Sequence, residues 1–295
     1  IFIESKNEWD TISLSDLSEN CPMTHSFIEK IQAQSSKDIK TIGESNITTK
    51  LQPYSESEEY FKSLSKKLRQ TIRTGLNRAD KDLSLSIRLT DCTSENIDLA
   101  MDHYYEVYNE SWKVKEEDPS FHRKLAHLLA TQGKLKLFLL YSHDKTKDCI
   151  DTLVWDSDLT LKGPDEKNGN PIAAIYMITH KGTAYYLKTS YKQSHSKYSS
   201  GMILFWHAVK YLMDKEDIKL IDHQKGADPY KFKWGEVKEQ RYHFQSANPN
   251  QFKAKLFIFI EGRFIPQIKH VIQRLKAATQ SIKAPRLQTK TQNTI

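Results

Sequence analysis

Residues 171–234 constrain the fold more than any other part of this 295-residue chain. Two runs rich in apolar, β-branched and aromatic residues, 172–180 and 183–190, flank Lys181-Gly182. This pattern is typical of a β-hairpin with a tight turn. A polar loop, a helix that starts at Gly201 and a short apolar strand follow. The order strand, strand, loop, helix, strand predicts an α/β fold with a mixed sheet flanked by helices.

The polar loop ends in Ser199-Ser200-Gly201, directly at the predicted start of the helix. The first backbone N–H groups of a helix have no partner inside it, and the helix dipole is positive there, so this position suits a phosphate oxygen. Glycine removes the side chain that would block a close approach. Serine is also a common helix cap, so the same residues fit an ordinary helix start as well.

After the helix, Asp222 ends the predicted strand, and the segment Gly226-Ala-Asp-Pro-Tyr230-Lys231 follows. Four features together resemble the GNAT acyltransferases: the Ser-Ser-Gly loop, the helix, the acidic strand end and the Gly-x-x-x-Tyr-Lys segment. The resemblance is to their Fem-like branch, with its BioF2-like (CelD-like) acetyltransferase domain. Ser200 stands where that branch often has proline. Residues 9–17 and 63–73 resemble two segments that precede the core in this branch.

The resemblance implies a GNAT-like acyltransferase domain over residues 55–250. Because Fem-like proteins often carry two such halves, residues 1–54 are expected to be the edge or remnant of a preceding half. In agreement with this, the chain opens with Ile1-Phe-Ile3, which looks like a strand entered in its middle. Residues 251–283 are predicted to form a C-terminal helical segment broken near Pro266, and residues 284–295 a disordered tail.

Periodicity predicts the remaining elements. Residues 55–81 carry apolar side chains at helical spacing and predict one long amphipathic helix with a basic outer face. Residues 143–170 form a longer and more polar connection than this family's tight turn, either a lid over the cleft or a surface excursion. The other predicted elements are strands over 84–90, 134–141 and 236–244 and helices over 94–112 and 119–131.

The resemblance also implies a chemistry. An acyl group, acetyl in the simplest case, passes from acyl-CoA to an amine of a small-molecule or peptide acceptor, without a metal. The residues then expected to bind the CoA pyrophosphate are Lys197, Ser199, Ser200, Gly201 and Met202. Asp222 is the candidate base, and a carboxylate that caps the following turn is the structural alternative.

Tyr230 and Lys231 are the candidates to orient the substrate or to protonate the leaving group. A tyrosine at the rim of the core beside a lysine that extends to solvent is an equally ordinary arrangement. The histidines show no usable spacing with a nucleophile, and of these His195 and His223 are retained as candidate substrate-binding residues.

Two further classes of function stay open. A Fem-type peptidyltransferase takes its acyl group from aminoacyl-tRNA, and Arg69 and Arg73 on the basic face of the predicted helix 55–81 would then bind RNA. These two arginines are therefore candidate substrate-binding residues, with a solvated helix face as the alternative. The last class is a GNAT fold without activity that acts as a binding module.

Composition narrows the remaining possibilities. A 38% share of hydrophobic residues is enough to build a hydrophobic core. Basic residues near the C-terminal end contribute to the net charge of +7, and lysines are spread evenly through the rest of the chain. This spread, and the lack of a recognisable DNA-binding motif, argue against a DNA-binding domain. Cys21, Cys92 and Cys149 are too far apart in sequence to suggest a metal site or a disulfide framework. No apolar run reaches the roughly 20 residues of a membrane span, and no signal core is visible. A cytoplasmic location is therefore expected.

Overall fold

The computed structural model of the chain describes residues 9–33, 38–42, 46–91, 97–144, 169–226, 228–235 and 237–263. The chain divides into two compact units. Ile1–Glu44 and Gln240–Ile295 form unit 1, and Ser45–Glu239 form unit 2. Unit 2 thus begins and ends about ten residues before the predicted domain 55–250.

The described elements follow one another in this order: β1 (Thr11–Ser18), α1 (Pro22–Gln32), β2 (Asp38–Ile42), β3 (Asn46–Lys50), α2 (Ser57–Ser63), α3 (Lys66–Asp82), β4 (Leu83–Thr90), α4 (Ile97–Asn109), α5 (Pro119–Thr131), β5 (Leu135–Asp144), β6 (Asn170–His180), β7 (Thr183–Tyr191), α6 (Ser200–Glu216), β8 (Leu220–Lys225), β9 (Val237–Glu239), β10 (Arg241–Ala247) and α7 (Phe252–Arg263).

The described part of unit 1 contains an antiparallel sheet of three strands in the order β1-β10-β2. Ile28 and Ile31 of α1 pack against Phe244 of β10, which is fully buried. Near the end of β10, Ala247 packs against buried residues of α7. Strand β10 therefore holds both the sheet and its helices together.

The described part of unit 2 contains a mixed sheet of seven strands in the order β4-β5-β6-β7-β8-β3-β9. Side chains alternate between its two faces along each strand. Phe138 and Ile175 face the side covered by α2, α3 and α6. Leu137 and Tyr176 face the side covered by α4 and α5. The predicted mixed sheet flanked by helices is thus confirmed.

The predicted hairpin is also confirmed. Strands β6 and β7 are antiparallel, and His180 pairs with Thr183 across the turn. Lys181 has φ 47° and Gly182 has φ 74°. Left-handed backbone at both central positions is the conformation that matches the twist of a two-residue hairpin.

Two predicted elements are wrong in extent. The single helix predicted over 55–81 is two helices, α2 and α3, because Leu64 is extended with ψ 152° and Ser65 caps α3 by accepting from the Leu68 amide at 3.3 Å. The single strand predicted over 236–244 is interrupted at Gln240. Strand β9 pairs with β3 in unit 2, and β10 pairs with β1 and β2 in unit 1.

Several sequence predictions fall on residues outside the described ranges. These are the strand-like opening 1–3, Cys92, Cys149, most of the long connection 143–170, the break near Pro266 and the tail 284–295. Cys21 lies within the described ranges and is partly exposed. Within the described ranges, every helix is too short or too polar to span a bilayer.

Candidate active site

Strands β7 and β8 run parallel, and they separate soon after they begin. Their paired residues are Thr183 with Leu220, Ala184 with Ile221, and Tyr185 with Asp222. Beyond Tyr185, the described residues form no further pairs between these two strands. The sheet therefore opens between the second half of β7 and the end of β8.

A cavity of about 370 Å³ lies beside this opening. Its walls come from five parts of unit 2: the second half of β7, the loop and first turns of α6, the segment after β8, α3, and the segment between α4 and α5. The lining residues are Thr71, Trp112, Tyr186, Thr189, Tyr191, Ser196, Ser199, Gly201, Met202, Phe205, Tyr230, Lys233 and Trp234. This size and this aromatic lining are typical of a small-molecule site.

The loop before α6 is held in one conformation. It forms a short 3-10 helix, Gln193–Tyr198, and Ser199 then adopts the left-handed backbone with φ 57°. The buried Ser200 hydroxyl donates to the His195 carbonyl at 3.1 Å. The amides of Met202 and Ile203 donate to the Ser199 carbonyl. The amides of Ser200 and Gly201 come earlier in the helix, where no intrahelical carbonyl is available to them.

Glycine residues allow close contacts around this loop. A Cβ at Gly201 would lie 3.2 Å from the ring of Tyr191, which lines the cavity. A Cβ at Gly75 on α3 would overlap the Tyr198 carbonyl oxygen. Helix α3 therefore packs directly on the loop backbone, and α6 starts directly against β7.

Four predicted site residues lie together on the cavity wall: Ser199, Gly201, Met202 and Tyr230. Burial, followed by the charge of Asp228, raises the pKa of Tyr230 to about 12. The Tyr230 hydroxyl is therefore protonated at neutral pH and can donate a hydrogen bond. The structure thus brings the predicted phosphate loop and the predicted tyrosine to one cavity, although they are about 30 residues apart in sequence.

Asp222 and His223 lie near this cavity but outside the set of residues that line it. The buried Asp222 carboxylate accepts from Asn46 Nδ2 at 3.2 and 3.3 Å and from the Gln224 amide at 2.7 Å. This placement supports the turn-capping alternative for Asp222. His223 is buried behind Tyr186 and Phe205, with its Nε2 2.8 Å from the Thr49 hydroxyl.

Lys231 is buried and is not among the residues that line the cavity. Its Nζ donates to the carbonyls of Lys225 and Gly226 at 2.7 and 3.2 Å and forms an ion pair with Asp228 at 3.3 Å. These contacts fix the turn that follows β8. Lys231 therefore holds the segment that carries Tyr230 in place.

The side chains of Lys197 and His195 belong to the loop but are turned outward. Lys197 Nζ donates to Asp82 at 3.0 Å and lies 4.6 Å from the Tyr198 ring. The His195 ring contacts Ser194 and lies near Tyr198. Neither side chain is among the described residues of the cavity wall.

The two predicted arginines lie on α3, next to the cavity residue Thr71. Arg69 is half-buried and donates to the Lys62 carbonyl at 2.9 Å. Arg73 is exposed, and its guanidinium carbon lies 5.6 Å from the centre of the Phe61 ring. Neither lines the cavity.

Sequence reasoning missed most of the aromatic wall. Trp112 stacks on Tyr191 with ring centroids 4.7 Å apart, and Phe205 packs on Trp234 at 4.6 Å. Tyr186 and Tyr191 are five residues apart on β7, a spacing that a regular period of two places on opposite faces. Both line the cavity because the pairing of β7 with β6 shifts by one residue between Tyr186 and Lys188. The sequence pattern did not indicate this shared face, and it did not indicate Trp112 either, which comes from a segment about 70 residues before β7 in the chain.

No cluster of three or more histidine, cysteine or acidic side chains suited to a metal ion occurs in the part of the chain that the structure describes. The polar side chains of the cavity wall are hydroxyl groups and the amine of Lys233.

Three features place the protein among the mixed α/β acyltransferases: the divergent parallel strands, the helix that starts at the opening and the cavity between them. Residues 66–159 and 165–232, more than half of the chain, match the family described as Acetyltransferase (GNAT) domain. The chain belongs to this family, and it is a GNAT-family N-acyltransferase.

Comparison with solved structures supports the same fold. FemX superposes with a TM-score of 0.58 at 12% identity, over 83% of this chain and 74% of that chain. A conserved protein of unknown function from Bacteroides thetaiotaomicron superposes with a TM-score of 0.52 at 11% identity, over 83% of this chain and 73% of that chain. A comparison with curated protein sequences found no match. The fold is thus Fem-like.

Proposed function

We propose that the protein transfers an acyl group, in the simplest case acetyl, from acyl-CoA to an amine of a small-molecule or peptide acceptor. One observation carries this proposal: the cavity lies where β7 and β8 separate and includes the first residues of α6. A donor bound there meets free helix amides at one end and an aromatic wall along its length.

The start of α6 suits the pyrophosphate of CoA. The Ser200 and Gly201 amides face no intrahelical carbonyl, and the helix dipole favours an anion at this end. Ser199 adds a hydroxyl, and Lys233, which also lines the cavity, adds a positive charge. Lys197 is ion-paired with Asp82, so its contribution is a longer-range one.

The acyl end of the donor is expected to lie near Tyr230. In the transfer, the neutral acceptor amine attacks the thioester carbonyl, a C–N bond forms, the C–S bond breaks with its electron pair on sulfur, and the proton lost by the amine ends on the CoA thiol. The Tyr230 hydroxyl, protonated at neutral pH, donates a hydrogen bond to the departing sulfur. The capped Asp222 supports the turn, and Lys231 supports the segment that carries Tyr230.

Isothermal titration with acetyl-CoA and longer acyl-CoAs tests the donor. Gly201→Glu places a carboxylate against Tyr191 at the proposed pyrophosphate position, and we expect it to abolish binding. Asn77→Glu, on the exposed side of α3, adds the same charge away from the cavity and is the matched control. Lack of binding by the unmodified chain to every acyl-CoA would contradict the proposal and favour a binding module without activity.

The basic side of α3 favours one second candidate, an aminoacyl-tRNA donor. Lys66, Lys67 and Arg73 are exposed on this helix, and its Thr71 lines the cavity. RNA held by these charges would bind with an affinity that falls steeply with salt. Tight tRNA binding that weakens on Arg73→Ala, together with no binding of acetyl-CoA, would favour this donor.

A further inference from the structure

We propose that Lys113 is a self-acylation site, whose side-chain amine accepts an acyl group from the donor bound in the cavity. This inference rests on the proposed acyl-CoA function, and it adds a modification site on the protein itself.

The position of Lys113 is the first argument. It follows Trp112, which lines the cavity and stacks on Tyr191 of β7. The Lys113 amine lies 5.8 Å from the centre of the Tyr108 ring and 5.9 Å from that of Trp112. The segment between α4 and α5 thus carries this amine to the edge of the cavity.

The charges that act on Lys113 locate its amine more closely. They come from Lys188 on β7 and from Asp228 and Lys231 in the segment after β8, besides Glu116 in its own segment. These groups belong to both sides of the opening between the two strands. The amine therefore lies within electrostatic range of both sides of the opening, through which an acceptor amine would have to approach the donor.

In the described part of the chain, the carboxylates near Lys113 are engaged by other groups. The nearby Glu116 carboxylate is engaged by Lys188 Nζ at 3.1 Å, His122 Nδ1 at 3.0 Å and the Tyr105 hydroxyl at 3.0 Å. Asp228 is engaged by Lys231. Among the described residues, no carboxylate forms an ion pair with the Lys113 amine, which is half-buried.

This environment disfavours the ammonium form. Burial, followed by the positive charge of Lys188, lowers the pKa of Lys113 to about 8. At pH 7 roughly one amine in ten is then neutral, against fewer than about one in a thousand for an exposed lysine. A neutral amine is the form that attacks a thioester.

The reaction balances without any further reagent. The neutral Lys113 nitrogen attacks the thioester carbonyl carbon, the C–N bond forms, and the C–S bond breaks with its electron pair on sulfur. The proton lost by nitrogen ends on the CoA thiol. The amide product is uncharged, so it also relieves the repulsion from Lys188.

Mass spectrometry after incubation with deuterated acetyl-CoA tests the inference. Cleavage at glutamate yields the peptide 111–116, which contains both Lys113 and the exposed Lys115 as an internal control. We expect at least tenfold more label on Lys113. We also expect its rate to level off above about pH 8.

Two variants and one parallel titration complete the test. Lys113→Arg is expected to lose one acetyl group per chain, and Lys115→Arg to retain it. If acetyl-CoA binds by calorimetry but Lys113 is labelled no faster than Lys115, the inference is wrong and the proposed function stands. If acetyl-CoA does not bind, both are overturned.

Discussion

Gly75 lies on the buried side of α3, at the point where this helix packs on the loop that precedes α6. A Cβ there would overlap the Tyr198 carbonyl oxygen and lie 3.2 Å from its carbonyl carbon and 3.3 Å from Ile203 Cδ1. In an open helix, Gly→Ala stabilises by about 1 kcal/mol. Here the obstacle is backbone, so no side-chain rotation relieves it, and overpacking costs about 1–3 kcal/mol. We expect Gly75→Ala to lower the free energy of unfolding by about 1–2 kcal/mol.

Urea unfolding followed by tryptophan fluorescence measures this change, and titration with acetyl-CoA measures its effect on the loop. Because Ser199 follows Tyr198 directly, we expect acetyl-CoA to bind about tenfold more weakly, a loss of about 1.4 kcal/mol. Asn77→Ala, exposed on the same helix, is the control and is expected to stabilise by a few tenths of a kcal/mol. If Gly75→Ala matched this control in stability and in affinity, the described contact would be refuted.

The other predictions concern the cavity wall, a buried ion pair and two histidines. Trp112→Ala is expected to weaken acetyl-CoA binding about tenfold, since aromatic contacts contribute about 0.5–1.5 kcal/mol beyond the burial of their surface area. The same variant is expected to leave the urea midpoint unchanged, because Trp112 is exposed. Lys192→Ala removes a buried cation that binds Glu106 at 2.5 Å and Asn170 at 2.8 Å. It is expected to lower the free energy of unfolding by about 1.5–3 kcal/mol, measured in the same urea assay. Burial lowers the pKa of His207 to about 4 and of His223 to about 3. Since the unfolded chain then binds more protons below about pH 6.5, stability is expected to fall as the pH drops from 6.5 to 4, by up to about 1.4 kcal/mol per pH unit for each histidine. Urea midpoints measured from pH 6.5 to pH 4 should fall less steeply in His223→Gln than in the unmodified chain. An equal fall in both would contradict the contribution of His223 to this pH dependence.

Local patterns were sufficient for much of the fold of unit 2. The hairpin was predictable because Lys181-Gly182 permits a left-handed turn between two runs of period two. The start of α6 was predictable because Ser199-Ser200-Gly201 precedes a long apolar run. In both places the residues that determine the structure are neighbours in sequence.

Of the remaining features, one was a local signal that the apolar spacing masked, and the others depend on contacts between distant residues. The break between α2 and α3 is set at Leu64-Ser65, where a serine cap competes with a continuous apolar spacing. The candidate base Asp222 lies beside Asn46, about 175 residues away in sequence, and no local pattern reveals that pair. The contact of Trp112 with Tyr191 is of the same kind. Such pairings follow from the order of strands in the sheet, which periodicity does not encode.

The central position of β10 in the sheet of unit 1 affects how the chain folds during its synthesis. Strands β1 and β2 both pair with β10, Thr11 lying opposite Ala247 and Asp38 opposite Ser246. All of unit 2 separates them in sequence. A ribosome adding about 5–20 residues per second needs on the order of ten seconds or more to reach β10. During this interval the two early strands lack the neighbour that saturates their edges, and unsaturated edges invite pairing with other chains. Aggregation during expression is therefore expected to begin with residues 11–42, and a circular permutant that brings β10 next to β1 would shorten this vulnerable period.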